Sequence, residues 1–372
     1  MSLKHLLLPC ATLAMPLANA QLTVDTTMTP TELVQGVLVG TGITASTVLF
    51  NDVDGAVSHE QIGAFNNGFA ALGWTNGMVI GTGAVIAAEG PNTVSGMTQG
   101  GGNFGYNDED LNAINNFQTH DRAALEMDFI PEGNSMELLY AFASEEYPEY
   151  VCGTVNDVLG VFLSGPGIFG PYSNNAINLA VIPGGTIPVS INSVNSGEVG
   201  VNGVLEICEA ADPDWQANSI HYLENPDTAA LQFDGQTVGL FAFSSLKAGQ
   251  PYHLKIAIAD GGDTAFDSAV FFPTGGLTSG VATGVAAVPA STDAVRLAVT
   301  SGGLAVDLLP PSVDAVMIMD GTGRVVSTHP VAQHAERMLI PLEGSAAGPY
   351  LLHLSGRNGE HRVMKFVLDA AR

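Results

Sequence analysis

Two short acidic stretches hold the side chains of this sequence that are best suited to chemistry. They are ASEEYPEYVCGTVND at residues 143–157 and IADGGDTAFDSAVFF at residues 258–272. Oxygen ligands gathered from two loops suit Ca²⁺, which takes about six to eight oxygens at roughly 2.3–2.6 Å. Without a cation, like charges this close would raise each other's pKa or push the loops apart. The candidate calcium ligands are Glu145, Glu146, Asn156, Asp157, Asp260, Asp263 and Asp267.

Two other interpretations of these carboxylates stay open. Acidic loops can be fully solvated, and Asp and Asn often stabilise turns. A pair of carboxylates could also serve a glycoside hydrolase as acid and base, although the sequence selects no pair at the required separation. No catalytic residue is therefore assigned.

Each acidic stretch lies between two predicted strands. Residues 135–144 and 157–165 flank the first stretch, and residues 252–260 and 268–273 flank the second. Apolar and aromatic runs bounded by Gly, Pro and Asn are typical of strands joined by turns. We therefore expect both groups of carboxylates at one edge of a β-sandwich.

The wider pattern predicts an all-β protein. It begins with a short helix at residues 29–39, which Thr29 or Thr31 can cap. An antiparallel β-sandwich or jelly-roll-like domain follows, and then a small immunoglobulin-like β-sandwich. Further strands of the first domain are predicted at 123–131, 177–183, 187–194 and 237–245.

Charge divides the chain into two parts. The whole chain has 37 Asp and Glu against 11 Lys and Arg, a net charge of −26, which repels phosphate backbones and argues against a nucleic-acid partner. Residues 21–288 hold 29 acidic and three basic residues, whereas residues 289–372 hold eight and seven. The predicted organisation is a signal peptide at 1–20, a β domain at 21–276, a linker at 277–288 and a tail domain at 289–372.

The first twenty residues are typical of a secretory signal peptide. One Lys, an apolar run and the ending Ala-Asn-Ala predict cleavage between Ala20 and Gln21. No later segment is apolar for long enough to cross a bilayer, so no transmembrane segment is expected after signal removal. The expected location is extracellular or at the outer cell surface. In that oxidising compartment Cys152 and Cys208 can form a disulfide, the alternative being two buried free thiols.

The body also resembles a known family. The segments ASEEYPEYV, NDVLGVFLSGPG, IPVSINSVN and YHLKIAIADGGDTAFDSAVFF, in this order, closely resemble the choice-of-anchor L domain of secreted bacterial proteins. The resemblance covers about residues 30–275 and weakens between 196 and 235. It implies an extracellular or cell-surface β domain, and it implies no known reaction.

The tail segments DGTGR at residues 320–324, GPY at 348–350 and KFV at 365–367 resemble the type A C-terminal sorting domain of the type IX secretion system of Bacteroidetes. This resemblance implies that the type IX secretion machinery is a partner, which exports the protein and releases it or attaches it to surface lipopolysaccharide. The last five residues, 368–372, extend past the usual stop, and an ordinary immunoglobulin-like stalk is the alternative. The matching positions include Gly321, Gly323, Gly348, Tyr350 and Lys365.

Together these patterns predict a secreted or surface-displayed protein with a structural or adhesive role. Its partners would be surface polysaccharide or extracellular matrix, with calcium stabilising the acidic loops. One alternative is a secreted polysaccharide hydrolase that uses the carboxylates of those loops. A second is a lectin-like module in which Trp215 and neighbouring aromatic side chains stack on sugars, although such side chains more often pack in a core.

Overall fold

The fold was analysed in a computed structural model of the chain. The predicted signal peptide, with Ala20, and Gly321 and Gly323 of the predicted sorting signal lie outside its described residues. Most of the predicted linker lies outside them too. The described residues are 21–99, 107–115, 117–183, 185–225, 230–280, 296–300, 303–307, 313–320, 325–331, 337–342, 348–356 and 361–368.

The N-terminal helix forms where the sequence predicts it. Helix α1 (Pro30–Leu33) continues into a π-helical turn (Val34–Leu38). The Thr29 hydroxyl accepts the backbone N–H of Glu32, while the Glu32 carboxylate accepts the backbone N–H of Thr29. This reciprocal capping satisfies two backbone donors and fixes the start of the helix.

The body of the chain folds as two sheets. The first has the order β1-β4-β5-β14-β7-β11-β10, with β12 and β15 also pairing with β7. The second has the order β3-β2-β6-β13-β8-β9. The strands are β1 (Thr23–Asp25), β2 (Ile43–Phe50), β3 (Val53–Asp54), β4 (Ile62–Asn66), β5 (Asn76–Gly81), β6 (Thr119–Pro131), β7 (Ser135–Ser144), β8 (Val158–Ser164), β9 (Ile177–Asn178), β10 (Tyr222–Glu224), β11 (Gly235–Thr237), β12 (Leu240–Ser245), β13 (Tyr252–Gly261), β14 (Ser268–Pro273) and β15 (Leu277–Thr278).

The main core lies between these two sheets. Along β6, Leu125, Met127 and Phe129 are fully buried in it, while Glu126 and Asp128 alternate onto the outer face. The first sheet contributes Tyr140 and Phe142 of β7 among others. Side chains alternate across a strand, so this pattern assigns one face of each sheet to the core. The predicted all-β fold class is confirmed.

Short helices and loops cover the outer faces of the sheets. Against the outer face of the second sheet, Leu111 packs on Phe162 and Ala257 in a small cluster of its own. The short helices are α2 (Phe69–Leu72), α3 (Glu109–Ile114) and α4 (Leu205–Ala211), with 3-10 turns at Val85–Ala88, Ser173–Asn175 and Trp215–His221.

Residues 187–194 do not form the predicted strand. The sequence there alternates as a strand would, but its hydrogen bonds are made within the segment. The backbone N–H of Ser190 donates to the Ser193 hydroxyl at 2.9 Å. The segment therefore turns, and only isolated bridges at Pro188 and Ser190 join it to other strands. Local side-chain to backbone bonds of this kind compete with strand pairing.

The described part of the tail forms two further sheets. Their orders are β16-β17-β20 and β19-β18-β21-β22. A separate cluster that includes Val316, Ile318 and Leu352 is buried with them. The strands are β16 (Arg296–Thr300), β17 (Gly303–Asp307), β18 (Val313–Asp320), β19 (Val325–Pro330), β20 (Arg337–Ile340), β21 (Gly348–Gly356) and β22 (His361–Leu368).

Candidate functional site

Both acidic stretches lie where strands of the two sheets begin or end. In the first sheet, Ser144 at the end of β7 is paired with Ser268 at the start of β14. In the second sheet, Val158 at the start of β8 is paired with Ala259 near the end of β13. The residues adjoining these four positions therefore meet at one edge of the sandwich.

Five buried carboxylates at this edge are linked through their effects on one another's pKa. Their relative exposure lies between 0 and 4%. The charge of one carboxylate raises the pKa of another throughout this set, so the five form one electrostatic group. We call this group the acidic cluster; it consists of Asp121, Glu146, Asp157, Asp260 and Asp267.

Two members of the acidic cluster are held by hydrogen bonds. Asp157 Oδ1 accepts the backbone N–H of Gly261 at 3.0 Å, and its Oδ2 accepts the Ser268 hydroxyl at 2.5 Å. Asp267 Oδ2 accepts the backbone N–H of Gln99 at 2.7 Å. A Cβ at Gly83 would lie 2.1 Å from that same oxygen, so only glycine leaves room for the Asp267 carboxylate.

Two other members have buried oxygens with few or no hydrogen-bond partners. Neither carboxylate oxygen of Glu146 has a partner, and those of Asp260 have none apart from the nearby Thr82 hydroxyl. The residues are 0% and 1% exposed, so bulk water does not replace the missing bonds. An ionised carboxylate buried in this way is costly unless it is paired with a proton or a cation.

Raised pKa values in the acidic cluster also show that ionised carboxylates are unfavourable there. Burial raises the pKa of Glu146, and the nearby Asp157 and Asp263 raise it further. Burial also raises the pKa of Asp260 well above its usual range; the charge of Asp157 adds to this, while the nearby Thr82 hydroxyl opposes it. Burial raises the pKa of Asp267 to about 7.

The ion pairs of the basic side chains between residues 21 and 288 are with acids outside the acidic cluster. Arg122 pairs with Asp52, and Lys255 Nζ lies 2.7 Å from Asp108 Oδ2. The end of the Lys247 side chain lies beside Gly167. Neither Glu146 nor Asp260 forms an ion pair with these three basic side chains.

The remaining candidate ligands lie outside the acidic cluster. Glu145 Oε2 accepts the backbone N–H of Gly96 at 3.2 Å, and burial together with the charge of Asp234 raises its pKa to about 8. Glu145 and Glu146 lie in the turn after β7, and different charges raise their pKa values: Asp234 acts on Glu145, whereas Asp157 and Asp263 act on Glu146. Asp263 is exposed, and its Oδ1 accepts the backbone N–H of Ala265 at 3.0 Å.

Asn156 has a structural role in the described fold. Its amide donates to Asn115 Oδ1 at 3.0 Å, and its Oδ1 accepts the backbone N–H of Asn192 at 2.8 Å. These bonds tie the start of β8 to the loop after α3 and to the turn at 190–195.

The side chains of the acidic cluster are not preassembled as a metal cage. Within the described ranges, no three His, Cys, Asp or Glu side chains are arranged to hold a metal ion. Calcium also takes backbone carbonyls and water as ligands, so fewer than three carboxylates can begin such a site.

Asp121 is the member of the acidic cluster that sequence reasoning missed. It lies at the start of β6, next to His120, which is paired with Asp260 of β13. Its φ of 48° is in the left-handed region, which Asp tolerates better than most residues. A signal existed in the run His-Asp-Arg just before the predicted strand at 123–131.

A disulfide fixes the loop that carries the first acidic stretch. Cys152 and Cys208 are bonded, with their Cα atoms 4.9 Å apart, so the predicted pairing is present. The backbone N–H of Val204 donates to the carbonyl of Cys152 at 2.8 Å. The loop after β7 is thus attached to helix α4.

A comparison with family models identifies the body of the chain. The model of the choice-of-anchor L domain matches residues 22–278, more than two thirds of the chain. The chain belongs to the choice-of-anchor L domain family. The matched segment takes in both sheets of the body and ends with β15.

Similarity of the choice-of-anchor L chain to solved structures is low. A biofilm-associated protein BSP domain has 8% identity and a TM-score of 0.18, covering 76% of this chain and 52% of that chain. The adhesin domain of Epf from Streptococcus pyogenes has 8% identity and a TM-score of 0.17, covering 69% and 80%. A β-glucuronidase from Ruminococcus gnavus has 8% identity and a TM-score of 0.14, covering 66% and 35%. TM-scores this low carry no inference, and no curated protein matches the sequence.

The choice-of-anchor L domain also has a polar groove on the outer face of its second sheet. The groove encloses about 170 Å³. His253 bridges two carboxylates there, with Nε2 3.0 Å from Glu126 and Nδ1 2.9 Å from Asp128. Its charged lining includes Asp52, Asp110, Arg122, Glu126, His253 and Lys255.

The bridging imidazole predicts a pH-dependent contribution to stability. The hydrogen bond to Glu126 raises the pKa of His253 above 6.5, with Asp128 adding to the shift. The free energy of unfolding gained from the charged imidazole should therefore be complete below about pH 6.5 and be lost as pH rises through the raised pKa. We expect His253→Gln to cost up to about 1 kcal/mol at pH 6 and much less at pH 9 in urea unfolding. An equal cost at both pH values would contradict the charged bridge.

Within the described ranges, no helix is long and apolar enough to cross a membrane.

Proposed function

We propose that this choice-of-anchor L protein is a secreted module displayed at the cell surface, with a structural or adhesive role. The disulfide supports this location most directly, because such bonds persist in oxidising compartments and are rare in the cytosol. The sandwich serves as a rigid scaffold. Its disulfide-fixed acidic edge is the part that we expect calcium to stabilise and that faces surface polysaccharide or matrix polymer.

We also propose that residues 289–372 direct export by type IX secretion after the signal peptide has been removed. The two sheets of the tail and the buried Tyr350 at the start of β21 are compatible with the predicted sorting domain. Gly348 and Lys365 of the predicted signal lie in β21 and β22, two strands that pair with each other.

Truncation of the tail tests the export route. In the native host, the full chain should reach the surface and be cleaved by protease added to intact cells, whereas a chain truncated after Val288 should remain inside the envelope. Only cells that display the full chain should attach better to matrix polymers than cells without it. Equal surface exposure of the truncated chain would contradict the sorting role, and surface display without any gain in attachment would contradict adhesion.

The two alternatives find less support in the geometry. The carboxylates of Glu146 and Asp260 are buried, so a polysaccharide chain cannot reach them as acid and base. Trp215 is 2% exposed and belongs to the main core, so its ring offers no face for a sugar. The structural and adhesive interpretation therefore remains the proposal.

A further inference from the structure

We propose that Glu146, Asp157 and Asp260 bind one Ca²⁺ ion that joins the two sheets at the acidic edge. Glu146 follows β7 of the first sheet, whereas Asp157 precedes β8 and Asp260 ends β13 of the second. An ion shared by these three residues would connect both layers of the sandwich. Asp267 and Asp121 lie in the same cluster, and Asp263 lies on the exposed turn beside it.

The observation behind this proposal is the pair of unpartnered oxygens on buried Glu146, together with Asp260, whose only nearby donor is the Thr82 hydroxyl. They are buried beside Asp157, whose charge acts on both residues. Carboxylates without hydrogen bonds are free to accept a metal ion without first breaking contacts. Solvated turns would instead leave these side chains exposed, and Glu146 and Asp260 are not.

Charge and size limit what the ligand can be. The ion pairs of Arg122 and Lys255 are with acids outside the acidic cluster, so Glu146 and Asp260 gain no compensating charge from those pairs. Glu146 and Asp260 are buried, so a sugar or a peptide cannot reach them and the ligand would have to be a small ion. Mg²⁺ demands nearly ideal octahedral geometry and retains several waters, whereas Ca²⁺ accepts irregular sets of carboxylates, carbonyls and water.

Binding requires a local rearrangement of side chains. Because no three carboxylates are arranged to hold a metal ion in the described ranges, Glu146 and Asp260 must turn toward a shared position. The neighbouring turn can supply one further ligand, because Asp263 is exposed. An Asp263 carboxylate that left Ala265 could approach the ion from outside.

The inference rests on the proposed scaffold role, because it names the ion that would hold the edge of that scaffold. It makes no assumption about export or about the polymer that is bound. Calcium binding is measured on the purified protein, whereas adhesion and export are measured on cells. A failure of the calcium proposal can therefore be told from a failure of the proposed function.

Thermal unfolding of the full chain tests the site. After chelator treatment and dialysis, CaCl₂ at about 100 times Kd should raise the Tm of the wild type by about 5–10 °C. Asp260→Asn and Glu146→Gln should each abolish most of that shift. Without calcium, neither variant should be much less stable than the wild type, because each replaces a carboxyl whose raised pKa already favours the neutral form with a neutral amide of similar size.

Glu198→Gln provides the matched control. Glu198 is an exposed acid outside the cluster, so its removal lowers the net negative charge equally and should leave the calcium shift intact. If Asp260→Asn fails to fold, the exposed Asp263→Asn should still weaken calcium binding several-fold. The proposal would be overturned by an absent shift, by a shift that survives in the cluster variants, or by an equal shift with the same concentration of MgCl₂.

Discussion

Replacing Cys152 and Cys208 together with Ala is expected to lower the free energy of unfolding by about 4 kcal/mol. The two cysteines are 56 residues apart, and a crosslink across a loop of that length removes much conformational entropy from the unfolded chain. The native state also loses the attachment of the acidic loop to helix α4. Urea unfolding of the wild type and the double variant measures the difference.

Reduction supplies the control for the disulfide prediction. Wild-type protein unfolded in the presence of a thiol reductant should match the double variant, because both then lack the crosslink. The variant should also bind calcium less tightly, since the loop from Glu146 to Cys152 is no longer anchored at its end. A stability loss below about 1 kcal/mol would show that the crosslink contributes little beyond the hydrogen bonds around it.

Trp215→Ala is expected to lower the free energy of unfolding by about 3–5 kcal/mol. The indole is buried in the main core, and removing a side chain of this size costs both transfer free energy and a cavity. The exposed Phe169→Ala is the control and should change stability by less than about 0.5 kcal/mol. A stable Trp215→Ala protein that had lost glycan binding would instead support the lectin-like alternative.

Much of the fold could be predicted from sequence because its strands carry strong local patterns. Strands β7 and β14 form at the predicted residues, since apolar runs there end at clear turn residues. The error at 187–194 arises because the serines there bond to one another, which no periodicity reveals. The short strands β10 and β11 lie where the family resemblance weakens, and the sequence gives no strong signal for them.

The position of the acidic stretches at an edge of the sandwich was predictable from sequence, but the residues that make up the acidic cluster were not. Strand ends flanking two acidic stretches were enough to predict that both would lie at an edge of the sandwich, but not that Asp157 and Asp260 would act on each other, which depends on the tertiary structure. The separation of Glu145 from Glu146 depends on which way the chain leaves β7. Asp121 becomes part of the acidic cluster because β6 pairs with β13. A single sequence does not specify this pairing.

The central claim is that a calcium ion lies between Glu146, Asp157 and Asp260 and joins the two sheets. A crystal of the full chain grown with CaCl₂, measured at a long wavelength, would locate the ion by its anomalous scattering. The account predicts a peak within about 2.3–2.6 Å of oxygens from Glu146 and Asp260. An ordered cluster without such a peak, or peaks only at exposed acids such as Glu198, would contradict it.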